Sequence, residues 1–183
     1  MQKAELKIQN IALVGMMGVG KSTIGAMLAK ALDMGFFDID AQIELEQKTS
    51  IAEIFNTHSE EYFRMLEHEQ CKKIPQIHNT VISTGGGTIL NPKNTKILQE
   101  NSTVIYLSAN EQTLQNRLVG TTALARPLLQ QSSIIQILKN RQNLYKQIAH
   151  HTITTDKKTP QDVLSQILSI NISAGKSSKH RTI

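Results

Sequence analysis

Eight residues near the start of the chain, Gly15-Met16-Met17-Gly18-Val19-Gly20-Lys21-Ser22, follow the spacing G-x-x-x-x-G-K-[ST]. That spacing is suited to holding phosphate. Glycines let the backbone curl so that successive N–H groups point inward at phosphate oxygens, and a helix starting near Lys21 adds the positive end of its dipole. Lys21 should reach the β and γ phosphates of a nucleoside triphosphate, and the Ser22 hydroxyl should ligate Mg²⁺.

Such a loop says nucleotide without saying what is done with it. Three further groups bear on that. Asp38-Ile39-Asp40 follows a short apolar run, so both carboxylates should project from a strand end toward the phosphates, one suited to a metal and the other to an attacking hydroxyl. Asp40 could instead simply cap a helix starting at Ala41. Arg64 falls early in a helical stretch beside Phe63 and Leu66, where an arginine is either solvated or an anion receptor. Gly85-Gly86-Gly87 comes directly after Val81-Ile82-Ser83-Thr84, and glycines at a strand end permit close approach of the backbone to a ligand.

The elements that must position these groups alternate. Apolar runs at Ile11–Val14, Phe36-Phe37, Val81-Ile82, 104–107 and around Ile153 read as five buried strands. Helical patterns lie between them, near 24–32, 41–47, 51–55, 60–74, 93–100, 111–118, 133–148 and 161–170. Strand–helix alternation implies a parallel sheet covered on both faces, with ligands at the carboxyl ends of the strands. The glycine loop, the Asp38–Asp40 turn and the triple-glycine turn should therefore meet at one edge. Residues 120–131, which include Arg126-Pro127, have the look of a loop that closes over ligands. The polar, basic end from about residue 173 is expected to be disordered.

Composition narrows the class. The chain has 183 residues, enough for one domain and too few for two. We expect the domain over residues 1–172 and the tail over 173–183. Of the formal charge of +5, Lys176, Lys179 and Arg181 supply three units in that tail. With four phenylalanines, three tyrosines and no tryptophan, the body offers few platforms for stacking bases, so nucleic acid is not an expected partner. Cys71 is the only cysteine, which excludes an internal disulfide and makes a reducing compartment the default. The longest apolar stretch, 11–20, falls short of the ~20 residues that span a bilayer. A cytoplasmic monomer without membrane contact is the expectation.

Taken in order, Gly15–Thr23, Phe36-Phe37-Asp38-Ile39-Asp40, Phe63-Arg64, Thr84-Gly85-Gly86-Gly87, Arg126-Pro127-Leu128-Leu129 and Arg141…Leu144-Tyr145 resemble the shikimate kinase family over about residues 8–170. The resemblance implies a three-layer α/β/α domain with a five-stranded parallel sheet, the P-loop NTPase fold of the nucleoside monophosphate kinase type. It implies a shikimate-binding helical region over about 40–71 and a lid over about 120–131. The implied reaction moves the γ-phosphoryl group of ATP to the 3-hydroxyl of shikimate.

The roles it implies are specific. Asp40, Arg64, Gly85, Gly86 and Arg141 would hold shikimate, and Ser22 and Asp38 would serve Mg²⁺. Gly18, Val19, Gly20, Lys21, Ser22 and Thr23 would cradle the phosphates, with Lys21, Asp40 and Arg126 as the catalytic set. Arg126 would reach from the lid to the phosphates, Arg117 would flank the adenine, and Lys158 falls beside it where a short polar residue is common. The chemistry is consistent, since a carboxylate suits bidentate guanidinium groups and ring hydroxyls suit Asp40 and glycine backbone. Gluconate and nucleoside monophosphate kinases share the architecture, but the triple glycine with Asp38-x-Asp40 argues against them. A nucleotide-binding module without turnover would have no need to keep Lys21, Ser22, Asp40 and Arg126 together.

Overall fold

The structure is a computed structural model that describes residues 10–119 and 134–170. Five strands, β1 (Asn10–Val14), β2 (Gly35–Asp38), β3 (Thr80–Ser83), β4 (Ser102–Ser108) and β5 (His151–Thr154), form one sheet in the order β2-β3-β1-β4-β5. Every pairing is parallel. Parallel neighbours can be joined only by crossovers, and among the described residues seven helices, alone or in series, lie in them: α1 (Lys21–Leu32), α2 (Ile39–Gln47), α3 (Ile51–Thr57), α4 (Glu60–Cys71), α5 (Pro92–Asn101), α6 (Glu111–Val119) and α7 (Ile134–Ile148), while α8 (Pro160–Ser169) follows the last strand.

Because side chains alternate across a strand, β1 splits its residues between two cores. Ile11 and Leu13 pack with Ile24 and Leu28 of α1, Leu114 of α6 and Val163, Leu164 and Ile167 of α8. Ala12 and Val14 pack on the other side with Ile39, Phe63, Leu66, Leu98 and Tyr145. Helix α7 serves both, with Ile134, Ile137 and Leu138 in the first core and Tyr145 and Ile148 in the second. The five strands and the helices between them fall where the sequence pattern puts them. Met16, buried, and Met17, partly buried, pack on the first core, as the free positions of the loop allow.

Two boundaries differ from the pattern. Helix α2 begins at Ile39 rather than Ala41, so the cap is Asp38, whose Oδ1 accepts from the Ala41 N–H at 3.1 Å. The capping role weighed for Asp40 thus belongs to Asp38, and Asp40 sits inside the first turn. Helix α4 stops at Cys71 and the chain continues as a 3₁₀ turn over Ile74–Gln76, since Pro75 would remove a donor from a longer helix and clash with its preceding turn. Segment 120–131 with Arg126, and the tail 173–183, lie outside the described residues. Among the described residues no helix is long and apolar enough to cross a membrane.

Helix α8 follows β5 through a capping box. The Thr159 hydroxyl accepts from the Asp162 N–H at 3.2 Å and Asp162 Oδ2 accepts from the Thr159 N–H at 2.9 Å, with Pro160 at the first helical position. Loss of such a cap costs about 1 kcal/mol. Thr159→Ala is therefore expected to lower the unfolding free energy by about that amount in urea titration; no change would mean that the box contributes nothing.

Candidate active site

The strand register brings three carboxyl ends level. Asp38 pairs with Ser83, Ser83 pairs with Leu13, and Val14 pairs with Tyr106. The chain leaves central β1 at the point where the connections diverge to either side, which is where open parallel sheets bind ligands.

The loop there runs through left-handed backbone at Gly18 (φ 78°) and Gly20 (φ 103°) before α1 opens at Lys21. Gly15 (φ 147°) is required for a second reason, because a Cβ on it would strike the Leu107 carbonyl oxygen of β4. Lys21 is buried, and its Nζ donates to the carbonyls of Gly15 (2.9 Å) and Met16 (3.1 Å). The Ser22 hydroxyl lies 3.5 Å from that of Ser83 at the end of β3.

A cavity of about 550 Å³ opens beside this loop, walled by Lys21, Ser22, Asp40, Arg64, Glu67 and Gly85 to Gly87 among others. Asp40 Oδ1 is sealed from solvent and meets no hydrogen-bond partner among the described residues. Burial, reinforced by the Glu67 carboxylate and opposed by Lys21, lifts the Asp40 carboxyl from 3.8 to about 7. A carboxyl poised there can take a proton from a hydroxyl near neutral pH. The triple-glycine turn presses on these groups: a Cβ on Gly85 would lie 2.8 Å from Asp40 Oδ1 and would strike Glu67, and one on Gly87 would strike the Arg64 guanidinium.

Arg64 is held between two acids of its own helix. Its Nη2 lies 2.7 Å from Glu60 Oε1, and its Nη1 is in close contact with Glu67 Oε2. Glu67 is fully buried and also accepts from the Thr88 hydroxyl at 2.6 Å, just past the glycine turn. Arg141, on α7, reaches the turn too, with its Nη1 donating to the Gly86 carbonyl at 3.2 Å. Two guanidinium groups thus abut the turn, one at Gly86 and one at Gly87, which is a receptor arrangement for a carboxylate.

A second cavity, about 350 Å³, shares Gly18, Gly20, Thr23 and Arg117 with the first and adds Val19, Ile24, Thr155, Lys158, Pro160 and Val163. Arg117 is fixed there by three bonds: Nη1 donates to the Val19 carbonyl (3.2 Å) and the Thr155 hydroxyl (2.9 Å), and Nη2 to the Thr155 carbonyl (2.9 Å). A planar guanidinium so held offers its face to a flat ring. Lys158 lines the same cavity, but its ammonium donates to the Thr154 carbonyl and to Gln166 Oε1 of α8, both at 2.9 Å. It contributes wall, with its charge already engaged.

Of the sequence-predicted residues that are described, all but Asp38 and Arg141 line one cavity or the other, with the loop as their shared wall, and Arg141 meets the site through the Gly86 carbonyl. Asp38 caps α2 at the end of β2, and Arg126 lies outside the described residues. Sequence reasoning missed Glu67, Thr88, Thr155 and Pro160. A signal existed for Glu67: it lies on the stripe Phe63, Leu66, Glu67, Gln70, Cys71 that forms the buried face of α4, and an acid within an apolar stripe demands a partner.

Comparison with known proteins is consistent with this geometry. Residues 17–171 match the family model described as shikimate kinase. A shikimate kinase from Sulfurihydrogenibium sp. is 40% identical over 163 residues, covering 88% of this chain and 96% of the relative. One from Xylella fastidiosa is 39% identical, covering 87% and 89%. Among solved structures, shikimate kinase from Acinetobacter baumannii in complex with shikimate superposes with a TM-score of 0.83 at 34% identity, covering 90% of this chain and 93% of that one. A gluconokinase from Sinorhizobium meliloti, 13% identical with a TM-score of 0.55, shares the fold alone.

Proposed function

Because the chain belongs to the shikimate kinase family, we propose that the two cavities divide its reaction between them, the smaller taking the adenine end of ATP and the larger taking shikimate and the phosphoryl group in flight. The reaction carries the γ-phosphoryl of ATP to the 3-hydroxyl of shikimate, releasing ADP.

Single residues carry distinct parts. Lys21 turns from its loop carbonyls to the β and γ phosphates, and the amides of Gly18 to Thr23 receive the remaining charge. Arg117 holds the adenine against Pro160. Asp40 accepts a hydrogen bond from the attacking hydroxyl and aims it in line with the phosphoryl group. Arg64 and Arg141 take the carboxylate at the glycine turn, and Glu67 sets the plane of the Arg64 fork. Arg126 meets the phosphoryl charge. The hydroxyl of Ser22 and the carboxylate of Asp38 are hard oxygen donors at one sheet edge, a set that fits Mg²⁺. Held there with ATP, the ion would supply neutralisation of the phosphate charge.

The observation that carries the assignment is the sealed oxygen of Asp40, facing the glycine turn without a hydrogen-bond partner among the described residues. A buried acceptor of that kind costs stability in the free protein, and a substrate hydroxyl relieves it. A coupled ADP-release assay with shikimate, quinate, gluconate and AMP as acceptors tests the reading. Turnover is expected with shikimate and, for the other three, at most a small fraction of it. Preference for gluconate or AMP, or no turnover with any acceptor, overturns it.

A further inference from the structure

The Gly86 carbonyl accepts twice. Besides Arg141 Nη1, the Tyr145 hydroxyl donates to it at 2.5 Å. Tyr145 is wholly buried and its ring stacks on Tyr106 of β4, with centroids 5.1 Å apart and planes 17° from parallel. One turn of helix separates Arg141 from Tyr145 on α7, so both reach the same oxygen from one face. The proposed mechanism makes no use of this hydroxyl.

Its geometry gives it one. No peptide bond among the described residues is cis, so the Gly87 N–H points opposite to the Gly86 carbonyl. With that carbonyl fixed toward α7, the Gly87 N–H is turned to the other side, and Gly87 lines the larger cavity. The doubled acceptor matters when the cavity fills. If Arg141 is to spend its donors on the acceptor's carboxylate, the half-buried carbonyl it releases would lose its partner unless another donor stays, and such a loss opposes the change.

We infer that Tyr145 is a positioning residue for the acceptor: its hydroxyl holds the Gly86 carbonyl while Arg141 turns to the substrate carboxylate, keeping the glycine turn in its binding-competent orientation. This rests on the proposed reading of the cavity as the shikimate site. It makes Tyr145 selective, because the tyrosine lines neither cavity and its hydroxyl acts through the Gly86 carbonyl.

Tyr145→Phe keeps the ring, its packing and its stack, and removes only the donor. Calorimetry on wild type and variant should show the shikimate Kd raised roughly tenfold, with the ATP Kd within twofold and Tm changed by no more than a few degrees. Equal shikimate affinity in both proteins overturns the inference while leaving the functional reading intact. Equal weakening of shikimate and ATP together with a large fall in Tm would mark a merely structural role and also overturns it. Absence of shikimate binding by wild type would sink the functional reading, and this inference with it. Should the variant fail to fold, the wild type still decides: by NMR the Tyr145 hydroxyl proton should remain slowly exchanging in the shikimate complex, and its loss on binding refutes the role.

Discussion

Asparagine in place of Asp40 is expected to reduce turnover by two to four decades and, at pH 8, to make the protein more stable. The first effect follows from removing the group that accepts the hydroxyl proton. The second follows from what the site costs. The folded-state carboxyl titrates at about 7 against 3.8 for an ordinary aspartate. The neutral form is therefore the one the fold prefers. Its contribution is fully present below pH 4 and is lost as pH rises through 7, where the buried group must ionise. At about 1.4 kcal/mol per unit, the deficit at pH 8 is on the order of 4 kcal/mol, and a neutral amide of the same shape escapes it. The advantage of Asp40→Asn should be nil near pH 3.5, grow between pH 4 and 7, and level off above. Paired urea titrations across that range measure it. An asparagine variant no more stable than wild type at pH 8, or one retaining a tenth of wild-type kcat, would contradict the role given to this carboxyl. Wild-type kcat/KM for shikimate should correspondingly rise with pH up to about 7.

Arg64→Ala is expected to fail in two separable ways. Removing a charged partner from a bound anion costs on the order of 2–5 kcal/mol, so the shikimate KM should rise by about one and a half to three and a half decades while ATP binding barely moves. The structure adds a consequence for stability. Glu67 is fully buried beside Arg64, and breaking a buried pair from one side costs about 3–5 kcal/mol because a charge is left without compensation. Adding Glu67→Gln to Arg64→Ala should restore most of that stability and none of the affinity. Arg64→Lys returns the charge without the planar fork, so it should recover stability better than affinity. Calorimetry beside denaturant titration reads both quantities. Normal shikimate binding by Arg64→Ala would withdraw it from the carboxylate site, and unchanged stability would show that Glu67 does not need its cation.

Much of this architecture is legible in the sequence, because it follows from periodicity. The alternation of short apolar runs with helical patterns specifies a parallel sheet, and glycines directly after β1 and β3 locate the site at its carboxyl edge. What was not legible depends on side chains meeting across the fold. The partner of Arg64 was within reach, three residues on in the same helix, but Glu67 was passed over because helical acids are ordinarily solvated. Lys158 falls beside the adenine position in the sequence, but the engagement of its ammonium with Gln166 depends on how the β5–α8 turn folds back. The start of α2 was missed for a similar reason. Asp38 ends a strand and caps a helix at once, so there is no intervening loop to punctuate the boundary.

Cys71 closes the buried face of α4, two positions beyond the last turn's Glu69, and is wholly shielded. Burial, with the Glu67 carboxylate adding to it, pushes its thiol up to about 12, so in the closed protein it is neither ionised nor accessible at neutral pH. Being the chain's single thiol, it makes the protein its own clock. Any alkylating reagent that reaches it has done so through an excursion in which the helix bearing Arg64 and Glu67 has lifted from the sheet. The rate of labelling, read without introducing a probe, counts those excursions, and its slowing under saturating substrate measures how firmly the occupied cavity holds that helix shut.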